Sequence, residues 1–302
     1  MDSFTVRAPA TTANLGPGFD CLGLALDVWN QVCFEPGNQP KVEVTGEGEG
    51  ELRTDTKNLV YRAAQNYFQE IKSDPPPFSI VCHNEIPLAR GLGSSAAAIV
   101  SGLLGASVLA GENFPDLDRL LRIAVALEGH PDNVVAALFG GCQIIVQEKG
   151  EIFRSEIPIS MDLRAVLFIP DVRISTQEAR DVLEAKLDRS DAVYNVGRVA
   201  LLVNALATGG LNNLRIATQD RLHQPSRQSL LPAMPLLFRS ALDAGALGVF
   251  LSGSGSTILA LAAGKELTIA YEMADAANKA GLSGQVKIAG IANQGAHIVP
   301  VE

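Results

Sequence analysis

Residues 87–111 read PLARGLGSSAAAIVSGLLGASVLAG and join a glycine-rich loop to a long run of small apolar residues. Gly91 and Gly93 predict a turn, and the run that follows predicts a helix that begins at Ser95 or Ala96. The small side chains of this helix would let another backbone approach it closely. A glycine-rich turn at a helix N-terminus presents free N–H groups and the positive end of the helix dipole, and this combination binds phosphate.

Two familiar nucleotide-binding patterns do not fit this stretch. The P-loop ends in Gly-Lys-Ser/Thr, whereas Gly264-Lys265 is followed by Glu266. GLGSSA partly matches the GxGxxG/A of dinucleotide-binding folds, but no acidic residue follows a second strand at the expected place. Two interpretations remain: a phosphate-binding loop of another kind, or a helix N-terminus at which the serines satisfy the free N–H groups.

The hydroxyls of Ser94 and Ser95 would add oxygen ligands to a phosphate loop. Mg²⁺ keeps most of its waters and needs one or two protein oxygens besides those of a phosphate. Glu128, at the end of the next predicted helix, is a candidate for the carboxylate of such a site. The alternative is an ordinary exposed glutamate at a helix end.

Three more segments are unusually polar or glycine-rich: EGHPDNV at 128–134, PATTANLGPGFDCLG at 9–23 and SGSGST at 252–257. The first gathers Glu, His, Asp and Asn where a proline breaks a helix, so they either face one cavity or make local capping bonds. The second is a tight polar loop between predicted strands, a type that often carries function. The third is a glycine-serine turn, and two such turns in one chain favour a shared anionic ligand.

The composition argues against several classes of protein. The chain has 302 residues, a formal net charge of −9 and a pI of about 5.0, which disfavours nucleic acid or an anionic membrane as its partner. Its four cysteines have no CxxC spacing, so we expect reduced thiols rather than disulfides or zinc. The N-terminus has no signal-peptide pattern, and the apolar run 96–110 is interrupted by serines and glycines. We therefore expect a cytoplasmic protein that does not span a membrane.

Apolar periodicity predicts an α+β protein of two domains. The pattern resets around residues 156–163, where Pro158 and a short polar stretch indicate a junction. We therefore place the domains at 1–160 and 161–302. The second half reads β-α-α-α-β-β-α-β, with helices over 177–186 and 194–207, and predicts one antiparallel sheet.

Three segments, in this order, resemble the motifs of the GHMP kinase superfamily. PATTANLGPGFD matches the first motif, PLARGLGSSAA the central phosphate loop and SGSGST the third. The sequence ANLGPGFDCLGLAL resembles the branch of the superfamily that phosphorylates homoserine. The same holds for EGHPDNV, for ISTQEAR at 174–180 and for DRLHQPSR at 220–227. The resemblance covers nearly the whole chain.

This resemblance implies a fold and a reaction. The GHMP kinase fold joins an N-terminal domain like ribosomal protein S5 domain 2, which carries the ATP-binding loop, to a ferredoxin-like α+β domain, with the active site between them. The reaction transfers the γ-phosphate of ATP, with Mg²⁺, to L-homoserine, a step toward threonine. A homodimer is also implied. The alternatives are a kinase for another small alcohol, such as mevalonate or a sugar, and a non-catalytic member that binds a metabolite and regulates.

The resemblance also assigns roles by position. The ATP phosphates would be wrapped by Pro87, Leu88, Ala89, Arg90, Gly91, Leu92, Gly93, Ser94, Ser95, Ala96 and Ala97. Asn58 would lie beside the nucleotide, and Ser95, in preference to Ser94, would hold Mg²⁺ together with Glu128. The amino-acid pocket would be lined by Asn14, Asp20, His130, Asn133, Thr176, Arg180 and Arg227. Of all these, Ser95, Glu128 and Arg180 would act in the catalytic step.

The residue types suit a zwitterionic substrate. Asp20 can hold the ammonium group, while Arg180 and Arg227 can hold the carboxylate by forked, charge-assisted hydrogen bonds. We assign no catalytic base, although Asp132 is the nearest carboxylate in its loop. Three positions depart from the family pattern: Thr12 in place of serine, Ser256 in place of proline, and Ala126 in place of a second glutamate.

Overall fold

Two β-sheets with helices packed on them organise the chain in the computed structural model, which describes residues 2–37, 39–159 and 163–300. The first sheet contains β1 (Phe4–Ala13), β2 (Leu22–Pro36), β3 (Val42–Gly46), β4 (Phe78–Asn84), β5 (Cys142–Glu148), β6 (Glu151–Ile157) and β11 (His297–Pro300). Its order is β11-β1-β2-β4-β3, and β5 pairs with both β2 and β6. Only β3 and β4 run parallel among these pairs.

The second sheet is antiparallel throughout its described pairs. It contains β7 (Arg164–Pro170), β8 (Gly248–Leu251), β9 (Ile258–Ala262) and β10 (Gly284–Ala289). The order is β10-β7-β9-β8. The predicted glycine-serine turn at 252–257 therefore does join two paired apolar strands, β8 and β9. The prediction of one antiparallel sheet in the second half is confirmed.

Ten α-helices and one short 3-10 turn, Leu211–Asn213, complete the described structure. The helices are α1 (Leu59–Glu70), α2 (Ser94–Leu109), α3 (Leu117–Glu128), α4 (Asp132–Phe139), α5 (Thr176–Asp181), α6 (Arg189–Thr208), α7 (Leu214–Ala217), α8 (Gln224–Arg227), α9 (Met234–Asp243) and α10 (Glu266–Lys279). Within the part of the chain that the structure describes, no helix has the length and apolarity needed to cross a bilayer.

Helix α2 is surrounded by the rest of the first half and begins at Ser94, one residue before the predicted start. It contacts α1, α3, α4 and β1. A side chain at Gly102 would lie 2.2 Å from the carbonyl oxygen of Val60, and one at Gly105 would lie 2.1 Å from the ring of Phe34. The small residues of α2 therefore permit the close approach that the sequence predicts, and they place the helix N-terminus beside β1.

Several predicted boundaries in the second half are wrong. The helix predicted over 177–186 ends at Asp181, and the one predicted over 194–207 begins earlier, at Arg189. The first turn of α6 is polar and exposed, so apolar periodicity could not mark it. Strand β6 was not predicted, because its residues are mostly polar and exposed at the edge of the sheet.

The chain returns to its first sheet at the end. Strand β11 pairs with β1, with Phe4 opposite Pro300 and Arg7 opposite His297. The predicted second half therefore contributes one strand to the sheet of the first. The division between residues 160 and 161 stays a prediction, and both of those residues lie outside the described ranges.

Candidate active site

The first, central and third motifs meet around the loop that precedes α2. The backbone N–H of Thr11 donates to the carbonyl oxygen of Leu92 at 3.0 Å. The hydroxyl of Ser252 donates to the carbonyl oxygen of Gly91 at 2.6 Å, and the N–H of Thr257 donates to that of Arg90 at 3.1 Å. These bonds join segments about 80 and 160 residues apart in the chain, so the loop is held between the two sheets.

The two glycines of this loop have no room for a side chain. Gly91 has φ +73°, and a Cβ there would lie 2.1 Å from the carbonyl oxygen of Ser252. Gly93 has φ +67°, and a Cβ there would lie 1.9 Å from the hydroxyl oxygen of Thr11. Positive φ and close backbone approach both require glycine. Gly91 and Gly93 therefore do more than form the turn. They also let the third motif and the first motif pack directly against the loop.

The N-terminus of α2 is free to bind an anion. Gly93 is its N-cap residue and makes no side-chain capping bond, while Ser94 and Ser95 already lie inside the helix. The interpretation in which these serines cap the helix is therefore wrong. The first N–H groups of a helix have no partner within it, and here they open toward two cavities.

The larger cavity has a volume of about 430 Å³ and a mostly apolar wall. It is lined by Asn30, Glu51, Leu52, Arg53, Lys57, Asn58, Leu59, Val60, Cys82, Asn84, Leu88, Ala89, Ser94, Ser95, Ala98 and Arg173. Asn58 caps α1, since its side chain accepts from the N–H of Val60 at 2.9 Å and donates to the carbonyl oxygen of Arg53 at 2.8 Å. An apolar wall beside a helix N-terminus suits a base attached to phosphates.

The smaller cavity has a volume of about 290 Å³. It is lined by Ala89, Arg90, Gly91, Leu92, Gly93, Ser94, Ser95, Glu128, His130, Asn133, Ile174, Ser175, Thr176, Gly253 and Ser254. Ala89, Ser94 and Ser95 line both cavities. A group held in one cavity can therefore meet a group held in the other at the start of α2.

Ser95 and Glu128 lie together at this meeting point. The hydroxyl of Ser95 donates to Oε2 of Glu128 at 2.6 Å, and the glutamate side chain is only 9% exposed. Helix α3 ends at this glutamate because Gly129 adopts φ +89°. Two adjacent oxygens, one of them a carboxylate, fit the protein share of a Mg²⁺ site whose remaining ligands are phosphate and water. Within the described residues, no group of three or more His, Cys, Asp or Glu side chains could hold a metal.

The segment after α3 brings His130 and Asn133 to the smaller cavity. Nδ1 of His130 lies 3.1 Å from Oδ1 of Asp132, and this carboxylate raises the pKa of the imidazole despite its partial burial. Oδ1 of Asn133 accepts the hydroxyl of Thr11 at 2.8 Å. Glu128, His130 and Asn133 therefore share one cavity, as the first alternative predicts, whereas Asp132 does not line it and no described side chain caps the start of α4.

Asp20 and Arg180 form an ion pair across 160 residues of chain. Nη2 of Arg180 donates to Oδ1 of Asp20 at 2.9 Å, and Nη1 donates to Oδ2 at 3.2 Å. Both side chains are a little over one third exposed. Asp20 has φ +56°, and the loop holds it there because Oδ1 of Asn14 accepts its N–H at 3.0 Å.

Arg227 lies deeper, with 3% of its surface exposed. Nε donates to the carbonyl oxygen of Ala179 at 3.0 Å, and Nη1 donates to that of Gly253 at 2.9 Å and also contacts Nδ1 of His223. Burial lowers the pKa of Arg227 to about 10, so it stays charged at neutral pH. Asn14 donates to the same carbonyl oxygen of Gly253 at 3.1 Å. Gly253 therefore links two buried polar side chains to the smaller cavity that it lines.

The structure thus divides the predicted site residues into two groups. Those that line a cavity include Asn58, Glu128, His130, Asn133, Thr176 and the loop residues from Leu88 to Ser95. The walls of these two cavities do not include Asn14, Asp20, Arg180 or Arg227, which lie next to them through Gly253 and α5. They also do not include Pro87, Ala96 or Ala97, whose side chains are buried. Sequence reasoning missed Arg173, which lines the larger cavity, and no motif or spacing marks it.

Comparison with known proteins finds one family along the chain. The family model described as "GHMP kinases N terminal domain" matches residues 58–141, and the one described as "GHMP kinases C terminal" matches residues 201–283. The chain is 42% identical to the homoserine kinase of Moorella thermoacetica over 294 residues, which cover 97% of this chain and 99% of that relative.

Solved structures agree in fold. The crystal structure of homoserine kinase from Cytophaga hutchinsonii superposes with a TM-score of 0.89 at 31% identity, over 99% of this chain and 98% of that one. The L. major mevalonate kinase, solved with R-mevalonate, superposes with a TM-score of 0.72 at 17% identity, over 94% of each chain. The second likeness extends to the fold alone.

Proposed function

This chain belongs to the GHMP kinases, and within that family we infer that it is a homoserine kinase, which phosphorylates the hydroxyl of L-homoserine in a step toward threonine. The near full-length relatives that share over 40% identity support this substrate. Mevalonate, the alternative, has weaker support, because the mevalonate kinase shares only 17% identity with the chain.

The observation that carries the proposal is the pair of cavities that share Ala89, Ser94 and Ser95. We place the base and ribose of ATP in the larger cavity, its phosphates along residues 87–97, and homoserine in the smaller cavity. The γ-phosphate would then lie at the start of α2, where the substrate hydroxyl can reach it. Phosphoryl transfer depends mainly on such positioning and on charge neutralisation.

Ser95 and Glu128 would hold Mg²⁺, as their oxygens 2.6 Å apart suggest. When bound, this ion would neutralise charge on the phosphate oxygens. The residues of the chain would do the rest: backbone N–H groups of the loop would bind phosphate, and the wall of the smaller cavity would exclude water and orient the hydroxyl.

The ion pair between Asp20 and Arg180 offers both charges that a free amino acid needs. An ammonium group would bind to Asp20 and a carboxylate to Arg180, each replacing one side of the ion pair. Thr176 lines the smaller cavity, and Arg180 lies four residues later on the same face of α5. The charged end of the substrate would therefore lie beside α5, with Arg227 behind it.

The substrate assignment is tested by measuring ADP release with L-homoserine, mevalonate, galactose and 4-hydroxybutyrate side by side. We expect kcat/KM for homoserine to exceed each of the others by at least about 10²-fold, because a ligand that lacks the ammonium or the carboxylate group leaves Asp20 or Arg180 without its proposed partner. 4-Hydroxybutyrate lacks only the ammonium group and so measures the contribution of Asp20. A preference for mevalonate or galactose would overturn the substrate assignment.

Replacing Arg180 with alanine is expected to raise KM for homoserine about tenfold or more, because a charge-assisted hydrogen bond contributes about 1.5–3 kcal/mol. KM for ATP should stay within about twofold, since Arg180 does not line the larger cavity. Arg239→Ala, at an exposed site on α9, is the control. Arg227 is a less clean target, since its removal would also take a buried donor away from the carbonyl oxygens of Ala179 and Gly253. An unchanged KM for homoserine would remove Arg180 from the substrate pocket.

We further propose that the protein works as a homodimer in the cytoplasm. The resemblance of its motifs to the superfamily supports the dimer, and the four free cysteines suit a reducing compartment. Light scattering of the purified protein measures the oligomeric state directly.

The domain division between residues 160 and 161 is likewise a proposal, and limited proteolysis at that junction tests it.

A further inference from the structure

Arg173 is an unusual member of the wall of the larger cavity. All the other described residues that line it belong to the first 98 positions of the chain. Arg173 alone comes from the connection between β7 and α5, on the side of the second sheet. It therefore brings a positive charge to the proposed nucleotide site from the opposite half of the molecule.

The backbone on both sides of Arg173 is attached to the phosphate loop. Nε of Arg90 donates to the carbonyl oxygen of Pro170 at 2.6 Å, and its Nη2 donates to that of Asp171 at 2.7 Å. After Arg173, the N–H of Ile174 donates to a loop carbonyl oxygen, that of Ala89, at 3.3 Å. Arg173 is therefore placed at the cavity by hydrogen bonds that precede and follow it.

The guanidinium of Arg173 is paired with the carboxylate of Glu51 in a two-pronged contact. One prong joins Nη2 to Oε2 at 2.8 Å, and the other joins Nη1 to Oε1. Both side chains are about half exposed, at 47% and 50%. A pair this exposed is screened by water and salt and contributes little stability. Arg173 can therefore exchange the carboxylate of Glu51 for another anion.

The same fork geometry of a guanidinium matches phosphate as well as carboxylate. The cavity that Arg173 lines also contains Ser94 and Ser95, at the helix N-terminus where the phosphates are placed. Arg53 and Lys57 also line the cavity, but only Arg173 of these three comes from the connection that is hydrogen-bonded to the phosphate loop. Arg173 thus has the charge, the geometry and the location to contact a polyphosphate.

We propose that Arg173 binds the polyphosphate of the nucleotide, and that Glu51 holds its side chain at the cavity until a phosphate oxygen replaces the carboxylate. This inference rests on the proposed function, because it requires a nucleotide in the larger cavity. The competing explanation is that the ion pair only ties the two halves of the molecule together.

Two variants separate these explanations because they predict opposite signs. Dissociation constants for ATP, ADP and adenosine are measured by calorimetry for the unaltered protein, Arg173→Ala and Glu51→Gln. We expect Arg173→Ala to weaken ATP binding about tenfold, because one charge-assisted hydrogen bond is lost. The dissociation constant for adenosine should change by no more than about twofold. Glu51→Gln should bind ATP at least as tightly as the unaltered protein, since it removes the competing anion. Arg239→Ala is the control for loss of a surface arginine.

If the ion pair only holds the two halves of the molecule together, a different result is expected. Both variants would then weaken the binding of ATP, ADP and adenosine to a similar extent, regardless of the number of phosphates. Thermal unfolding would also show similar decreases in Tm for the two variants. That outcome, or unchanged ATP affinity in Arg173→Ala, overturns the inference. If the unaltered protein binds ATP and phosphorylates homoserine in either case, only the role of Arg173 has failed. If it binds no ATP, the proposed function fails as well.

Discussion

Replacing Ser95 with alanine is expected to lower kcat by about 10²-fold or more, with KM for homoserine nearly unchanged. The hydroxyl lies 2.6 Å from Oε2 of Glu128 at the point where the two cavities meet. Its loss removes one of the two protein oxygens proposed to hold Mg²⁺, and the phosphate charge is then less well neutralised in the transition state. Steady-state kinetics over a range of Mg²⁺ concentrations measure the effect, and a higher Mg²⁺ requirement should accompany it.

Two other serines of the same helix make the test specific: Ser101 is a control, and Ser94 is the alternative candidate. Ser101 lies farther along α2, and its buried hydroxyl has no hydrogen-bond partner among the described residues, so Ser101→Ala should leave both kcat and stability nearly unchanged. Ser94→Ala tests the other serine of the loop. If Ser94→Ala rather than Ser95→Ala causes the large loss, the metal role moves to Ser94. If neither variant changes kcat by more than about twofold, the proposed metal site is wrong.

Replacing Gly91 with alanine is expected to destabilise the protein by about 2–5 kcal/mol and to abolish tight ATP binding. The backbone strain of a non-glycine residue at φ +73° accounts for about 1–2 kcal/mol of this. The rest, about 1–3 kcal/mol, comes from overpacking, because the new Cβ would lie 2.1 Å from the carbonyl oxygen of Ser252. Urea unfolding and ATP titration measure the two effects.

Gly111→Ala is the matched control for this substitution. Gly111 also has positive φ, +82°, but no atom lies within 4 Å of a Cβ built there. Gly111→Ala should therefore lower the free energy of unfolding only by the backbone strain of about 1–2 kcal/mol and leave ATP binding unchanged. The difference between the two variants measures how tightly the central and third motifs pack. Equal losses of stability would show that the contact between Gly91 and Ser252 can relax freely.

The parts of the site that follow one another in the chain were predictable. The glycine turn and the small residues after it predict both the loop and helix α2, because each feature depends on local backbone geometry. The suitability of Ser95 and Glu128 for one metal site also follows from residue chemistry together with position at helix ends. Their contact at 2.6 Å is found in the structure. The serines, however, do not cap the helix as the alternative interpretation required.

Contacts between distant residues were not predictable in the same way. Asp20 and Arg180 were assigned to opposite ends of the substrate, yet in the structure they pair with each other. Arg173 carries no motif, and only the hydrogen bonds between its connection and the loop before α2 bring it to the larger cavity. Strand β11 belongs to the first sheet because β1 offers an unpaired edge, which periodicity in the last residues cannot reveal.

The amino-acid sequence by itself therefore determined the family, the loop and the candidates for the site, because these depend on short stretches whose chemistry is local. Tertiary structure alone decided which side chains face a cavity and which stand behind it. It also decided that the central loop packs against two segments distant in the chain. The physical reason is that burial and pairing of charges depend on how the two sheets come together, and no single stretch of sequence contains that information.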